Sequence, residues 1–307
     1  MTDTSFILWL QQFSNGFLDL FFTYITKLGN PEYYMLAIPL FYWCINKKAA
    51  FRFTMYFLIS IYVNSVVKAT TAVPRPSGDE VRILYKESTL GTSSFPSGHT
   101  QGTASFWGYM AYYIKNKAFT ALAVVIIILV GLSRMYLGLH FPIDILGGLS
   151  FALVILWLFN QFYDDLVKKM KTLSFQTGIL LSIILPLFLL LPPSHDKGML
   201  VGFVIGLLVG YQVEGTTLGF QSDATFGKQV VKFVIGVAGF FGLRFILKAL
   251  FLQIGFSDTA PLAADVIRYS IIGLWASYIA PLVFVKFGLS TVGGGFPRTP
   301  AGKAVTR

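Results

Sequence analysis

The chain of 307 residues is 55% hydrophobic and only 12% charged, with a mean hydropathy of +0.67, which excludes an ordinary soluble domain. Its formal charge of +10 reads as lysine and arginine holding short loops on one side of a bilayer, with no nucleic-acid partner implied. One cysteine, Cys44, excludes an intrachain disulfide and reads as a small buried apolar residue.

Long apolar runs between short charged segments must be helices, because the bilayer interior offers no partner to an unpaired backbone group. A first helix over 6–27 carries Gln11, Gln12, Ser14, Asn15 and Asp19, and reads as lying partly at the interface. It has no basic leader region or small-residue cleavage site, so no removable signal peptide is expected. Gly29-Asn30-Pro31 turns the chain into a short span over 32–45, and a further span over 53–71 stops at Pro74-Arg75-Pro76. The remaining spans are expected over 98–114, 119–137, 142–162, 173–191, 198–213, 230–252 and 263–287, roughly ten helices in all. The fold class is therefore all-α, a polytopic integral membrane helical bundle.

Alternate loops carry Lys47, Lys48 and Arg52, then Lys115 and Lys117, then Lys168, Lys169 and Lys171, then Lys228 and Lys232, then Arg298, Lys303 and Arg307. Both termini are therefore expected in the cytoplasm, and the helix ends bearing Arg75, His99 and His140 on the outer face. Trp9, Trp43 and Trp107 read as interface markers. His195, in Pro192-Pro193-Ser194-His195-Asp196, reads as an outer-loop residue, and 290–307 as a disordered tail.

Two of the three histidines fall in 95–144, each beside a helix-breaking residue. Ser97 suits the N-cap of the helix that follows it, which turns the backbone N–H groups of Gly98 and His99 toward the loop as an anion cradle. Lys68 and Arg75 are seven apart, a spacing that on a helix returns two side chains to one face. Arg134 ends its span in the same layer, and three converging cations fit a multiply charged oxyanion such as phosphate. His140 precedes Pro142, which opens the next helix. Asp144, four residues after His140, can hold one imidazole nitrogen protonated while the other attacks. Two histidines and one carboxylate, with no second carboxylate or cysteine, suit phosphoryl transfer through a histidine better than metal-assisted hydrolysis. No metal and no other cofactor is expected.

Lys68-x6-Arg75-Pro76, Pro96-Ser97-Gly98-His99 and Ser133-Arg134-x5-His140-x3-Asp144 together resemble the three-part signature of the type 2 phosphatidic acid phosphatase superfamily, the lipid phosphate phosphatases and their relatives. The resemblance covers about 17–162 and implies a six-helix core without a metal cofactor. It further implies that His140 is the nucleophile, forming a phosphohistidine, that Asp144 orients it, and that His99 is the general acid and base. Lys68, Arg75, Ser97, Gly98 and Arg134 would bind the phosphate, with Ser133 beside them.

Residues 1–162 thus read as the phosphatase core and 163–289 as about four additional transmembrane helices. These helices resemble sphingosine-1-phosphate phosphatases through Phe226-Gly227-Lys228, Arg244, Lys248 and Arg268-Tyr269. Arg244 and Lys248 lie four apart near Asp265 and Arg268. They read as an ion-pair cluster tying the extra helices together, with a contact to the substrate headgroup as the alternative.

The expected function is removal of a terminal phosphate, monoester or diphosphate, from a lipid at the outer face of a bacterial cell membrane. Phosphatidate, phosphatidylglycerophosphate, an isoprenoid diphosphate and a sphingoid phosphate all present such a group. The alternatives are a phosphotransferase using the same intermediate, or a lipid or anion transporter that uses these residues as a binding site.

Overall fold

Among residues 3–84, 92–191 and 197–293, which the computed structural model describes, all regular structure is helical apart from one β-bridge, Phe220 to Val292. The order is α1 (Ser5–Gln11), α2 (Gly16–Ile25), α3 (Pro31–Leu40), α4 (Lys47–Thr71), α5 (Gly98–Ile114), α6 (Lys117–Tyr136) and α7 (Pro142–Lys171). It continues with α8 (Phe175–Leu187), α9 (Lys197–Thr217), α10 (Phe226–Gln253), α11 (Phe256–Thr259), α12 (Pro261–Leu274) and α13 (Ala280–Lys286). Among the described residues six stretches are long and apolar enough to cross a membrane: α4, α6, α7, α9, α10 and the composite Pro261–Lys286. Each expected span has its helix, but the first is broken. Asn15 takes extended backbone and its Oδ1 accepts Leu18 N–H at 3.0 Å, so the polar residues end α1 and cap α2.

The chain forms two compact units, Met1–Met35 with Arg52–Phe162 and Leu36–Phe51 with Tyr163–Arg307. The first is cored by aromatics. Phe53, Phe57, Phe106 and Tyr109 pack around one another, and Tyr34 shares a 3.2 Å hydrogen bond with Thr103 Oγ1. Two long polar side chains buried here find main-chain partners: Tyr56 donates to Ala152 O (2.9 Å), and Gln101 Nε2 to Ser60 O (2.8 Å).

In the second unit, α9 carries glycine at every fourth position from Gly198 to Gly210, and Gly273 answers from α12. Side chains at Gly202 and Gly206 would run into the backbone of Val266 and Ser270, so the two helices pack main chain to main chain. Trp43, expected at an interface, is instead fully buried and donates Nε1–H to Ala276 O at 2.8 Å. It sits in one π-helical turn (Phe41–Ile45) and bonds another (Trp275–Ile279). The i→i+5 pairing there displaces backbone groups that a side chain can then reach. Of the expected tail, 290–293 is ordered, Thr291 O accepting Gln221 N–H and Gly219 O accepting Gly293 N–H. Residues 294–307 and His195 lie outside the described residues.

Candidate active site

Helix α6 ends and α7 begins within a few residues. Gly138 takes φ +76°, which lets its N–H donate to Met135 O and that of Leu139 to Arg134 O, each at 3.0 Å. A Cβ at Gly138 would stand 2.5 Å from Arg82 O, so this closure needs glycine. Pro142 then starts α7 at the position where a missing N–H loses nothing. His140, between the two, is 1% exposed.

Three donors meet on one oxygen of Asp144. Oδ2 accepts Phe141 N–H at 2.8 Å, His140 Nδ1–H at 3.2 Å, and the Ser94 hydroxyl. The carboxylate therefore caps the first turn of α7 and fixes the ring in one stroke. At the other ring nitrogen, Arg75 Nη1 lies 3.1 Å from Nε2. A guanidinium can only donate, so Nε2 is the acceptor and the ring proton sits on Nδ1. That tautomer presents a lone pair on Nε2. Burial, then the charges of Arg134, Arg75 and Lys68, hold the imidazole well below its ordinary pKa, which keeps the lone pair available.

Of the three expected cations Arg75 touches this ring, and Lys68 and Arg134 act on it through their charge. Lys68 Nζ donates to Ser93 O (2.5 Å) and Ser94 O (3.4 Å). Arg75 also donates to Leu139 O (3.0 Å) and Thr92 O (3.1 Å). Arg134, fully buried in the last turn of α6, donates Nη1–H to Thr26 Oγ1 at 2.9 Å. One expectation fails here, since Lys68 and Arg75 do not share a helix. α4 stops at Thr71, Ala72 takes φ +46°, and Val73-Pro74 cannot continue it, because a residue before proline is driven out of the α region. Arg75 reaches His140 from non-helical chain.

Ser97 caps α5 as its sequence suggests, its Oγ accepting from Thr100 N–H, and its own N–H donates to Asp144 O at 3.0 Å. A Cβ at Gly148 would stand 2.7 Å from Ser97 O, so glycine lets α7 lie against the start of α5. Gly98 and His99 are the first two residues of α5, and their N–H groups point out of the helix toward the loop. His99 Nε2 lies 2.9 Å from Asn30 Oδ1. His99 also adds to the electrostatic field that lowers the His140 pKa.

Ser133 is buried in α6 with its hydroxyl donated back to Val130 O at 2.7 Å. Arg244 and Lys248 lie on α10 of the second unit, half-buried and exposed, and Arg268 pairs with Asp265 at 2.5 Å within α12. Sequence reasoning missed Ser94, Thr26 and Asn30, which touch Asp144, Arg134 and His99. Each is a small polar residue in a turn or loop, a pattern common to most loops. Only the position of Ser94, just before Phe95-Pro96-Ser97, hinted at a role.

With this geometry in hand, two family models match the chain: the PAP2 superfamily over residues 49–168, and the PAP2 superfamily phosphatase transmembrane extension over residues 198–292. Among curated proteins, the chain is 26% identical over 275 residues to lipid phosphate phosphatase delta of Arabidopsis thaliana, covering 80% of this chain and 65% of that one. It is 39% identical over 118 residues to phosphatidylglycerophosphatase B of Bacillus subtilis, covering 36% and 55%. It is 23% identical over 311 residues to sphingosine-1-phosphate phosphatase 1 of Mus musculus, covering 86% and 71%. The chain thus spans about two thirds of the first relative's length and little over half of the second's. The two family models together match well over half of the chain and include His99, His140 and Asp144 along with the C-terminal helices, so this integral membrane protein belongs to the PAP2 superfamily.

Proposed function

We propose that the protein is a lipid phosphate phosphatase working through a phosphohistidine on His140. The observation that carries this reading is the His140 ring itself, tied through Nδ1 to Asp144 and turned with Nε2 into a cluster of three cations. Lys68, Arg75 and Arg134, with the start of α5 at Ser97 and Gly98, bind the phosphoryl oxygens and stabilise their charge as phosphorus becomes five-coordinate. Nε2 attacks, a P–N bond forms, and the bond from phosphorus to the lipid oxygen breaks. His99 delivers a proton to that leaving oxygen. It then takes a proton from water as the water oxygen attacks phosphorus, and the P–N bond breaks to release inorganic phosphate.

No metal takes part in this scheme. The polar groups gathered around His140 and Asp144 are mostly donors, suited to an anion. The substrate is a lipid whose terminal phosphate lies at headgroup depth, and its chain enters laterally between helices. The names of the relatives point to phosphatidylglycerophosphate and sphingosine 1-phosphate as first choices. The lysine and arginine pattern supports cytoplasmic termini and a site on the outer face.

The test is phosphate release from a panel of detergent-solubilised lipid phosphates by wild type and His140→Ala. Release by wild type alone, with an acid-labile phosphoryl adduct that the variant lacks, is expected. Turnover by His140→Ala at the wild-type rate overturns the mechanism.

A further inference from the structure

The residue that orients the second histidine comes from outside the matched family segment at 49–168. Asn30 follows the short 3-10 turn Thr26–Gly29 and precedes Pro31, which starts α3. Its backbone is pinned twice, by Asn30 N–H to Lys27 O (3.1 Å) and by Tyr33 N–H to Asn30 O (3.2 Å), and the following proline keeps it extended (φ −73°, ψ 148°). From this fixed base Oδ1 meets His99 Nε2 at 2.9 Å. The His99 side chain also sits close against the preceding residue, where a Cβ at Gly29 would come 2.9 Å from His99 Cδ2 and 3.0 Å from its Cβ. One contact sets where the ring sits, and the other sets how it is turned. Gly29 is itself buried and Thr26, in the same turn, holds Arg134, so this turn serves two residues of the site at once.

We propose that Asn30 is the positioning residue for His99, fixing the ring and the nitrogen through which it exchanges protons. An amide oxygen can only accept, so the Nε2 proton is committed to Asn30 and Nδ1 becomes the nitrogen that gains and loses a proton during turnover. His140 is held by a carboxylate in the reverse sense, with Nδ1 committed and Nε2 reactive. The inference rests on the phosphatase reading of the same site and adds to it a residue for the proton-transfer half of the reaction.

A general acid matters most when the leaving oxygen is a poor one. The experiment therefore compares two substrates, a lipid phosphate with an alkoxide leaving group and p-nitrophenyl phosphate with a good one, in wild type, His140→Ala, Asn30→Leu, Asn30→Ala and Asn30→Asp. Asn30→Leu and Asn30→Ala are expected to lose roughly 10²-fold or more in kcat/KM on the lipid phosphate, which reports the steps up to phosphohistidine formation. On the aryl phosphate, whose leaving group needs no acid, kcat/KM should fall less than about tenfold, while kcat falls on both substrates wherever water attack on the phosphohistidine limits turnover. Asn30→Asp, which keeps an acceptor oxygen in place, should recover most of the lipid activity. Preserved phosphorylation of His140 by the aryl substrate is the internal control for folding. Equal losses of kcat/KM on both substrates with no recovery in Asn30→Asp, or full lipid turnover in Asn30→Leu, overturn the positioning role while leaving the phosphatase reading intact. A wild type that releases no phosphate from either substrate, or an active His140→Ala, overturns the phosphatase reading and this inference with it.

Discussion

Both units of this protein bury charge, and they do it differently. In the second, Lys47 Nζ lies 2.8 and 3.0 Å from the carboxylate oxygens of Glu214, which also accepts Phe220 N–H at 2.5 Å. Nearby Lys232, fully buried, donates to Trp43 O (2.9 Å) and Ser222 O (2.7 Å), and both ammonium groups face the Phe220 ring. Each charge there has its acceptors within the chain, which is what a structural cluster needs. In the first unit the buried imidazole of His140 lies in the field of three cations, and the Arg75 guanidinium leans on the ring nitrogen itself. That excess of donors is costly as structure and suited to an incoming anion. The lesson is that the balance of buried charge, more than its presence, separates a site from a brace.

The sharpest way to break this contrast is at His140, the proposed nucleophile. His140→Ala should cut phosphate release by roughly 10³-fold or more while the detergent-solubilised protein keeps its Tm. Asp144→Asn keeps the shape and one acceptor oxygen but gives up the negative charge that stabilises the ring as it turns cationic on attack. A loss on the order of 10³- to 10⁴-fold in kcat is expected, with KM little changed. The brace should respond in the opposite way. Glu214→Ala leaves Lys47 buried without its partner and should lower stability by about 3–5 kcal/mol, seen as a fall in Tm, with turnover per folded molecule preserved. A Glu214→Ala protein that melts like wild type would erase the distinction between the two regions.

Smaller effects sharpen it. Vanadate, which adopts the five-coordinate geometry of phosphorus in flight, should inhibit and raise Tm in wild type, and should do neither in Arg134→Ala; EDTA should leave turnover unchanged. The smallest effect concerns pH. Because His140 is held well below its ordinary value, the folded protein leaves it neutral where the unfolded chain protonates it. The unfolded state therefore binds the extra proton, and stability is lost as pH falls below about 6.5. Above that value the ring is neutral in both states and contributes nothing. In His140→Ala the decline in Tm between about pH 6.5 and 5 should be shallower than in wild type.

Much of this was legible in the residues. The Ser97 cap, the stop at Gly138 and the start at Pro142 are local rules, and they hold at each position. The His140 to Asp144 contact follows from i,i+4 spacing across a helix start. The expectation that failed, Lys68 and Arg75 on one helix face, used a spacing rule across Pro74, where the helix had already ended. Trp43 misled for a related reason: an indole marks an interface only when its N–H needs water, and Ala276 O meets that need inside the second unit.

What the sequence determined alone was the solvent and the helices, and it named the residues proposed to hold and cleave a phosphate. Apolar length, caps and breakers act over a few residues, so they can be read without knowing the fold. The tertiary structure decided which nitrogen of each imidazole carries the proton, because Arg75 and Asn30 lie 65 and 69 residues from the rings they touch. It also decided that Ser94 and Thr26 serve the site. A hydroxyl in a loop gains its role only from the carboxylate or guanidinium that folding brings within 3 Å or so, and no spacing rule reaches that far.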